Sequence, residues 1–132
     1  MKMELQPKYF GFVKNGTKRI ELRLYDEKRK SIKLNDIITF VHAKTGEEIN
    51  VKVIGLIRYN NFSDLFKDFD ISIFSDKSMT KEDLLNDLEV YYNKEKQNNF
   101  GVLGIRFILR DKKWDYYDLI FYKLKYMIYE NM

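Results

Sequence analysis

In the stretch Gly16-Thr17-Lys18-Arg19-Ile20-Glu21-Leu22-Arg23-Leu24-Tyr25, apolar residues recur at every second position, Ile20, Leu22 and Leu24. A period of two is that of a β-strand with one buried face. Residues 18–25 are therefore expected to form a strand that carries Arg19, Glu21 and Arg23 on its other face. Lys18 stands where the chain leaves Gly16, so the alternation does not fix its direction. A glutamate and an arginine two residues apart can orient one another, and a lysine nearby gains an acid to tune it. Such a trio suits a phosphate or a carbonyl-bearing ring, with arginine as a fork, lysine as a point charge and glutamate as an acceptor for ring N–H groups. By pattern alone, an exposed ion pair of little energetic weight is the simpler reading.

Working outward, Pro7 to Lys14 fits a short helix that starts on proline, has Tyr9, Phe12 and Val13 facing inward, and stops at Asn15-Gly16. Residues 26–31 read as a charged turn. Asp36 to Val41 and Ile49 to Tyr59 read as strands, separated by a turn at Thr45-Gly46-Glu47. Asn61 to Phe66 suggests a short helix. Thr80 with Asp83 resembles a capping box, opening a helix whose stripe is Leu84, Leu85, Leu88, Tyr91 and Tyr92. Asn93 to Phe100 reads as a polar loop and Gly101 to Leu109 as a final strand. Beyond it, residues 114–132 have helical spacing but are apolar on most sides, as expected of a helix buried in its own chain or against a second copy. This order predicts an α+β fold, a small mixed β-barrel with helices packed over its openings and a C-terminal helix.

The chain of 132 residues suits one domain. It has no cysteine, which removes disulfides, thiolate metal sites and cysteine nucleophiles from consideration. Neither an apolar leader at Met1–Pro7 nor an apolar run long enough to span a bilayer is visible, so a cytoplasmic protein without a membrane role is expected. Residues 1–33 hold ten Lys/Arg and four Asp/Glu, whereas residues 34–132 hold fourteen and sixteen. The positive excess lies wholly in the first quarter, the footprint of a polyanion-binding face or of a solvated lysine-rich surface. His42 is the only histidine, so no histidine cluster can hold a metal. No cofactor motif and no metal site is expected.

The spacing Gly16-x-Lys18-x-x-Glu21-x-Arg23 resembles the signature of ASCH domains, a family related to the PUA fold. The order around it is similar too: an N-terminal strand and short helix, Leu24 to Arg29, Ile32 to Phe40, Tyr59 with Phe62 and Leu65, and Tyr91-Tyr92 followed by Phe100-Gly101-Val102. Asn35 stands where that family often has glycine, and it keeps the turn chemistry. The resemblance covers residues 1–110, and residues 111–132 form an aromatic-rich extension that it does not explain.

The resemblance implies a PUA-like barrel with the motif on the floor of a cleft, and a role in binding RNA or a nucleotide. On that reading Lys18, Glu21 and Arg23 meet the ligand. Tyr92 and Phe100 are candidates to stack a base at the cleft mouth, while Tyr91 is expected in the core. Lys14, Arg19, Arg29 and their neighbours Lys28 and Lys30 would supply sequence-independent attraction. One branch of the family hydrolyses acetylated cytidine with a lysine, a threonine and a glutamate. Lys18 matches the lysine, but Glu21 and Lys77 stand at the other two places. A small hydrolase of modified nucleosides or RNA, with Lys18 and Glu21 as candidate catalytic residues, is therefore the alternative. A third possibility is a protein-interaction module that pairs through the aromatic tail.

Overall fold

Pro7 has no N–H to leave unsatisfied and its fixed φ suits a first helical turn. A helix begins there in the structure, a computed structural model that describes residues 1–110. The elements run β1 (Lys2–Leu5), α1 (Pro7–Lys14), β2 (Ile20–Leu24), α2 (Glu27–Lys30), β3 (Ile37–His42) and β4 (Glu48–Tyr59). There follow α3 (Phe62–Asp68), a 3-10 turn (Ile71–Ile73), α4 (Lys81–Tyr91), α5 (Lys94–Phe100) and β5 (Val102–Leu109). The C-terminal helix expected over residues 114–132, and any dimer contact through it, lie outside the described residues.

Two stretches expected to be irregular are helical. Residues 27–30 make one turn because the Asp26 side chain accepts from the Arg29 N–H at 3.1 Å. Residues 94–100 form a helix capped by Asn93, whose side chain accepts from the Lys96 N–H at 2.9 Å. That helix has no apolar stripe and is docked by a buried amide instead. Gln97 donates to the Tyr92 carbonyl at 2.7 Å and accepts from the Phe62 N–H at 3.1 Å.

The strands form one sheet in the order β1-β3-β4-β5-β2, with β1 parallel to β3 and the other pairs antiparallel. The twelve-residue β4 pairs first with β3 and then with β5, and its register slips between Val53 and Gly55. Such a bulge increases local twist. The result is the expected PUA-like α+β fold, built as a curled half-barrel with β1 and β2 as its two edges. Inside the curl lie Met3, Leu5, Phe40, Val51, Val53, Leu103, Ile105 and Phe107, and α1 covers them with Phe10 and Val13. On the outer face, Ile20, Leu22 and Leu24 of β2 pack with Phe62, Leu65, Phe66, Phe74 and Leu84 from the later helices and turns. The edge strand β2 is thus buried on one face by α3 and α4, while its other face looks toward the gap beside β1.

Candidate functional site

The strand period places Glu21 and Arg23 on one face, and pairing of Glu21 with Ile105 and of Arg23 with Leu103 fixes their height along β5. Lys18, whose direction the alternation left open, turns inward. Its backbone N–H is held by the Phe12 carbonyl at 3.0 Å. Its ammonium donates to the Ile20 and Phe74 carbonyls at 2.8 and 2.9 Å and lies 3.3 Å from Glu21 Oε1. The Tyr9 ring lies beneath the same ammonium, 5.5 Å from nitrogen to ring centre.

Glu21 is held at both oxygens. Oε1 also accepts from the Leu22 N–H at 3.0 Å, and Oε2 accepts from Arg23 Nε and Nη2 at 3.1 and 2.9 Å. Arg23 Nη2 reaches across the gap to the Glu4 carbonyl of β1 at 2.8 Å. A side-chain bridge therefore joins the two edges of the half-barrel where no backbone ladder between them forms among the described residues. Lys18 and Glu21 are only 3% and 6% exposed. Burial lowers the pKa of the Lys18 amine, although Glu21 opposes it. Burial alone would raise the Glu21 carboxyl, but Lys18, Arg23 and the Leu22 N–H together hold it below its ordinary value. Burial likewise works against the Arg23 charge, and Glu21 with the neighbouring Tyr92 outweighs it, so its pKa is raised.

A cleft of about 140 Å³ opens over this trio. Glu4, Leu5 and Gln6 form one side, Lys18, Glu21, Leu22 and Arg23 the floor, Tyr9 one end, and α4 the opposite wall. That wall is set by the capping box at its start: the Thr80 hydroxyl accepts from the Asp83 N–H at 3.1 Å and Asp83 accepts from the Thr80 N–H at 3.0 Å. From this start, Leu84, Asp87, Leu88 and Tyr91 follow at one-turn intervals and face the cleft together with Tyr92. Asp87 Oδ2 accepts from Lys8 at 2.8 Å and from the Tyr9 hydroxyl at 2.6 Å. These bonds outweigh burial and keep the Asp87 carboxyl below its ordinary value, whereas burial and the Asp87 bond push the Tyr9 phenol above its own.

Lys18, Glu21, Arg23 and Tyr92 of the expected set are brought together here. Lys14, Arg19 and Arg29 do not line the cleft. Lys14 pairs with Glu47 at 2.8 Å on the surface and Arg29 with Asp26 at 2.8 Å, while Arg19 is half-buried near Gly16. Tyr91, expected in the core, is 54% exposed at the cleft mouth. The expectation of a basic cleft also changes, because Lys18 and Arg23 face Glu4, Glu21 and Asp87 and the lining is of mixed sign. The contributions of Glu4, Gln6, Tyr9 and Asp87 were not foreseen. For Asp87 a signal existed, since it lies one helical turn before Tyr91.

As a catalytic base or nucleophile Lys18 would need an accessible amine. The ammonium is buried among three acceptors, the Ile20 and Phe74 carbonyls and Glu21 Oε1, so the hydrolase alternative gains nothing from the geometry. His42 serves a turn: its Nδ1 accepts from the Lys44 and Thr45 N–H groups, each at 3.1 Å. Among the described residues no group of three or more His, Asp or Glu is placed to hold a metal ion, and no helix is long and apolar enough to cross a membrane.

Residues 3–110 match the ASCH domain family. The crystal structure of hypothetical protein PH0355 is similar, with 33% identity over 82% of this chain and 96% of that one and a TM-score of 0.72. The solution NMR structure of protein PF0455 from Pyrococcus furiosus is similar as well, with 29% identity over 84% of this chain and 97% of that one and a TM-score of 0.67. No curated protein matches the chain. With the match spanning the whole half-barrel and the motif at its seam, the chain belongs to the ASCH domain family.

Proposed function

We propose that this protein is an RNA- or nucleotide-binding module whose cleft takes one base at a time. The observation that carries the reading is the size of the cleft taken with its walls. A cavity of roughly 150 Å³ holds one benzene-sized ring, and this one measures about 140 Å³ with Tyr91 and Tyr92 beside its mouth. That suits a single planar base and excludes a duplex.

The mixed charge refines the division of labour. Lys18 and Glu21 spend their hydrogen-bonding capacity on each other and on the backbone, so they shape the floor. Glu4, Gln6 and Asp87 line the sides with acceptors for the N–H groups of a base edge. The sugar and phosphate remain outside, where the surface lysines of the first quarter of the chain supply attraction that weakens with salt.

The test is calorimetric titration with the four ribonucleoside monophosphates and with a short single-stranded RNA. Stacking of a base on an aromatic ring contributes on the order of 1–3 kcal/mol, so Tyr91→Ala is expected to weaken binding about tenfold or more without unfolding the protein. Absence of binding by every nucleotide and by RNA, or affinity indifferent to Tyr91→Ala and Asp87→Asn alike, would remove this reading.

A further inference from the structure

A second concavity, of about 570 Å³, opens where the end of β4 meets the start of β5. The ladder sets its geometry. Arg58 pairs with Leu103 and Tyr59 with Val102, while the Tyr25 N–H bonds the Gly101 carbonyl at 3.0 Å. These pairings bring Tyr25 and Arg58 face to face, with the guanidinium carbon 3.8 Å from the ring centre. Lys30 of α2 lies 5.7 Å from the same ring. A guanidinium stacked on a phenol forms an extended flat surface.

The opposite rim is Phe100, the last residue of α5, which is 47% exposed. Gly101 follows it with φ of +72° and ψ of −179°, a conformation essentially restricted to glycine. A Cβ there would stand 3.2 Å from the Tyr59 carbonyl. The chain thus turns sharply in a way only glycine allows, and the turn leaves a large apolar ring at the mouth of the groove. Asn60, Asn98 and Asn99 complete the lining. Their side chains make no hydrogen bond among the described residues, and each offers both a donor and an acceptor.

We infer that this groove binds single-stranded nucleic acid, with an unpaired base stacked on Phe100 or on the Tyr25–Arg58 plane and its edge met by the asparagine amides. The exposed Phe100 ring, the Arg58 guanidinium and three asparagine amides on one concave surface are what an unpaired nucleotide needs: a stacking platform, charge for the phosphate and edge contacts. An acidic peptide would use the guanidinium charge but neither the flat faces nor the amides. Arg23, on the cleft floor, and Tyr25, in this groove, are alternate residues of one extended segment, about 7 Å apart along the strand. A strand with one base in the cleft can therefore continue into the groove. The groove nevertheless stands on its own residues and binds whether or not the cleft does.

The experiment is fluorescence anisotropy with a labelled ten-nucleotide single-stranded RNA, comparing the wild type with Phe100→Ala, Arg58→Ala, the pair Asn98→Ala/Asn99→Ala, and Tyr91→Ala in the cleft. Loss of one stacked base raises the dissociation constant about tenfold; that is expected for Phe100→Ala, with an unchanged melting curve. Arg58→Ala is expected to weaken binding similarly and to reduce the slope of log affinity against log salt by about one. Wild-type affinity in all three groove variants overturns the inference, and weakening by Tyr91→Ala alone does so while leaving the cleft reading intact. Weakening by the groove variants but not by Tyr91→Ala supports the groove and counts against the cleft. Equal binding of duplex RNA, equal competition by polyglutamate, or no RNA binding by the wild type each overturns it.

Discussion

Arg23 and Arg58 both lie beside a tyrosine, yet they sit in opposite settings. Arg23 has a side chain 13% exposed, holds Glu21 with two donors, bonds the Glu4 carbonyl and neighbours Tyr92. Arg58 is exposed and stacks on Tyr25. The first belongs to a closed circuit in which charges satisfy one another and join the two edges of the sheet. The second presents an open face. The difference shows that the most recognisable residues of the motif are engaged with one another and with the backbone, whereas the less patterned Arg58 keeps an open face.

The strongest way to break this contrast is at the centre of the circuit. Glu21→Ala leaves the Lys18 ammonium and the Arg23 guanidinium without their shared carboxylate in a site that water barely reaches. Removing one partner from a buried ion pair costs about 3–5 kcal/mol, a large part of the 5–15 kcal/mol that holds an ordinary domain folded. Urea denaturation should show a fall of that size. A fall below roughly 1 kcal/mol, the range of exposed ion pairs, would mean that the trio is a surface feature after all.

The same circuit predicts an acid dependence. The Glu21 carboxyl is held below its ordinary value in the folded protein. A depressed carboxyl contributes stability that is fully present above the unfolded value, about 4.3, and is lost as pH falls through the folded value. Wild-type stability should therefore decline as pH drops below that point. Asp83 and Asp87 are shifted in the same direction and add to the decline. Glu21→Gln, if it folds, should show a shallower decline over the same range. Parallel pH curves for the two proteins would contradict the placement of Glu21.

Much of the half-barrel could be read from the sequence because its signals are local. Ile20, Leu22 and Leu24 declare a strand by period, Pro7 and Asn15-Gly16 bracket α1, and Thr80 with Asp83 starts α4. The misreadings share a cause. Asn93 to Phe100 lacks an apolar stripe because its docking contact is the single amide of Gln97, and no periodicity reports one hydrogen bond. Tyr91 fits the α4 stripe, yet only Leu84 of that helix is fully buried, and the stripe ends at a cleft instead of in the core. The open seam is also invisible locally, since β1 pairs in parallel with β3, far away in the chain. For the site, spacing put Glu21 and Arg23 on one face, but saturation of Lys18 depends on the Phe74 carbonyl, 56 residues later. Acceptors on other elements, not the motif itself, decide whether its charges are free to bind.

A smaller effect tests whether the cleft wall is held independently of the floor. Thr80→Ala removes the capping hydroxyl of α4 and leaves the trio untouched. Loss of a cap of this kind costs about 1 kcal/mol. Because α4 carries Asp87, Leu88 and Tyr91 into the cleft, nucleotide affinity should fall along with stability. Reduced stability with unchanged affinity would show that the wall keeps its position by packing alone.

The smallest effect on stability should come from Arg58→Ala, and that smallness sharpens the contrast. Arg58 is exposed and its partner is a ring face. A cation over an aromatic face at an exposed site contributes roughly 0.5–1 kcal/mol. No buried charge is stranded when it goes, unlike the outcome at Arg23. Denaturation should therefore register a change within that range, with an m-value equal to the wild type's. A loss of several kcal/mol would place Arg58 in a structural network like that of Arg23, and the groove would then lose its claim to be an open recognition surface. A change near zero, together with a clear defect in RNA binding, would separate the two arginines into one that holds the sheet edges together and one that meets a partner.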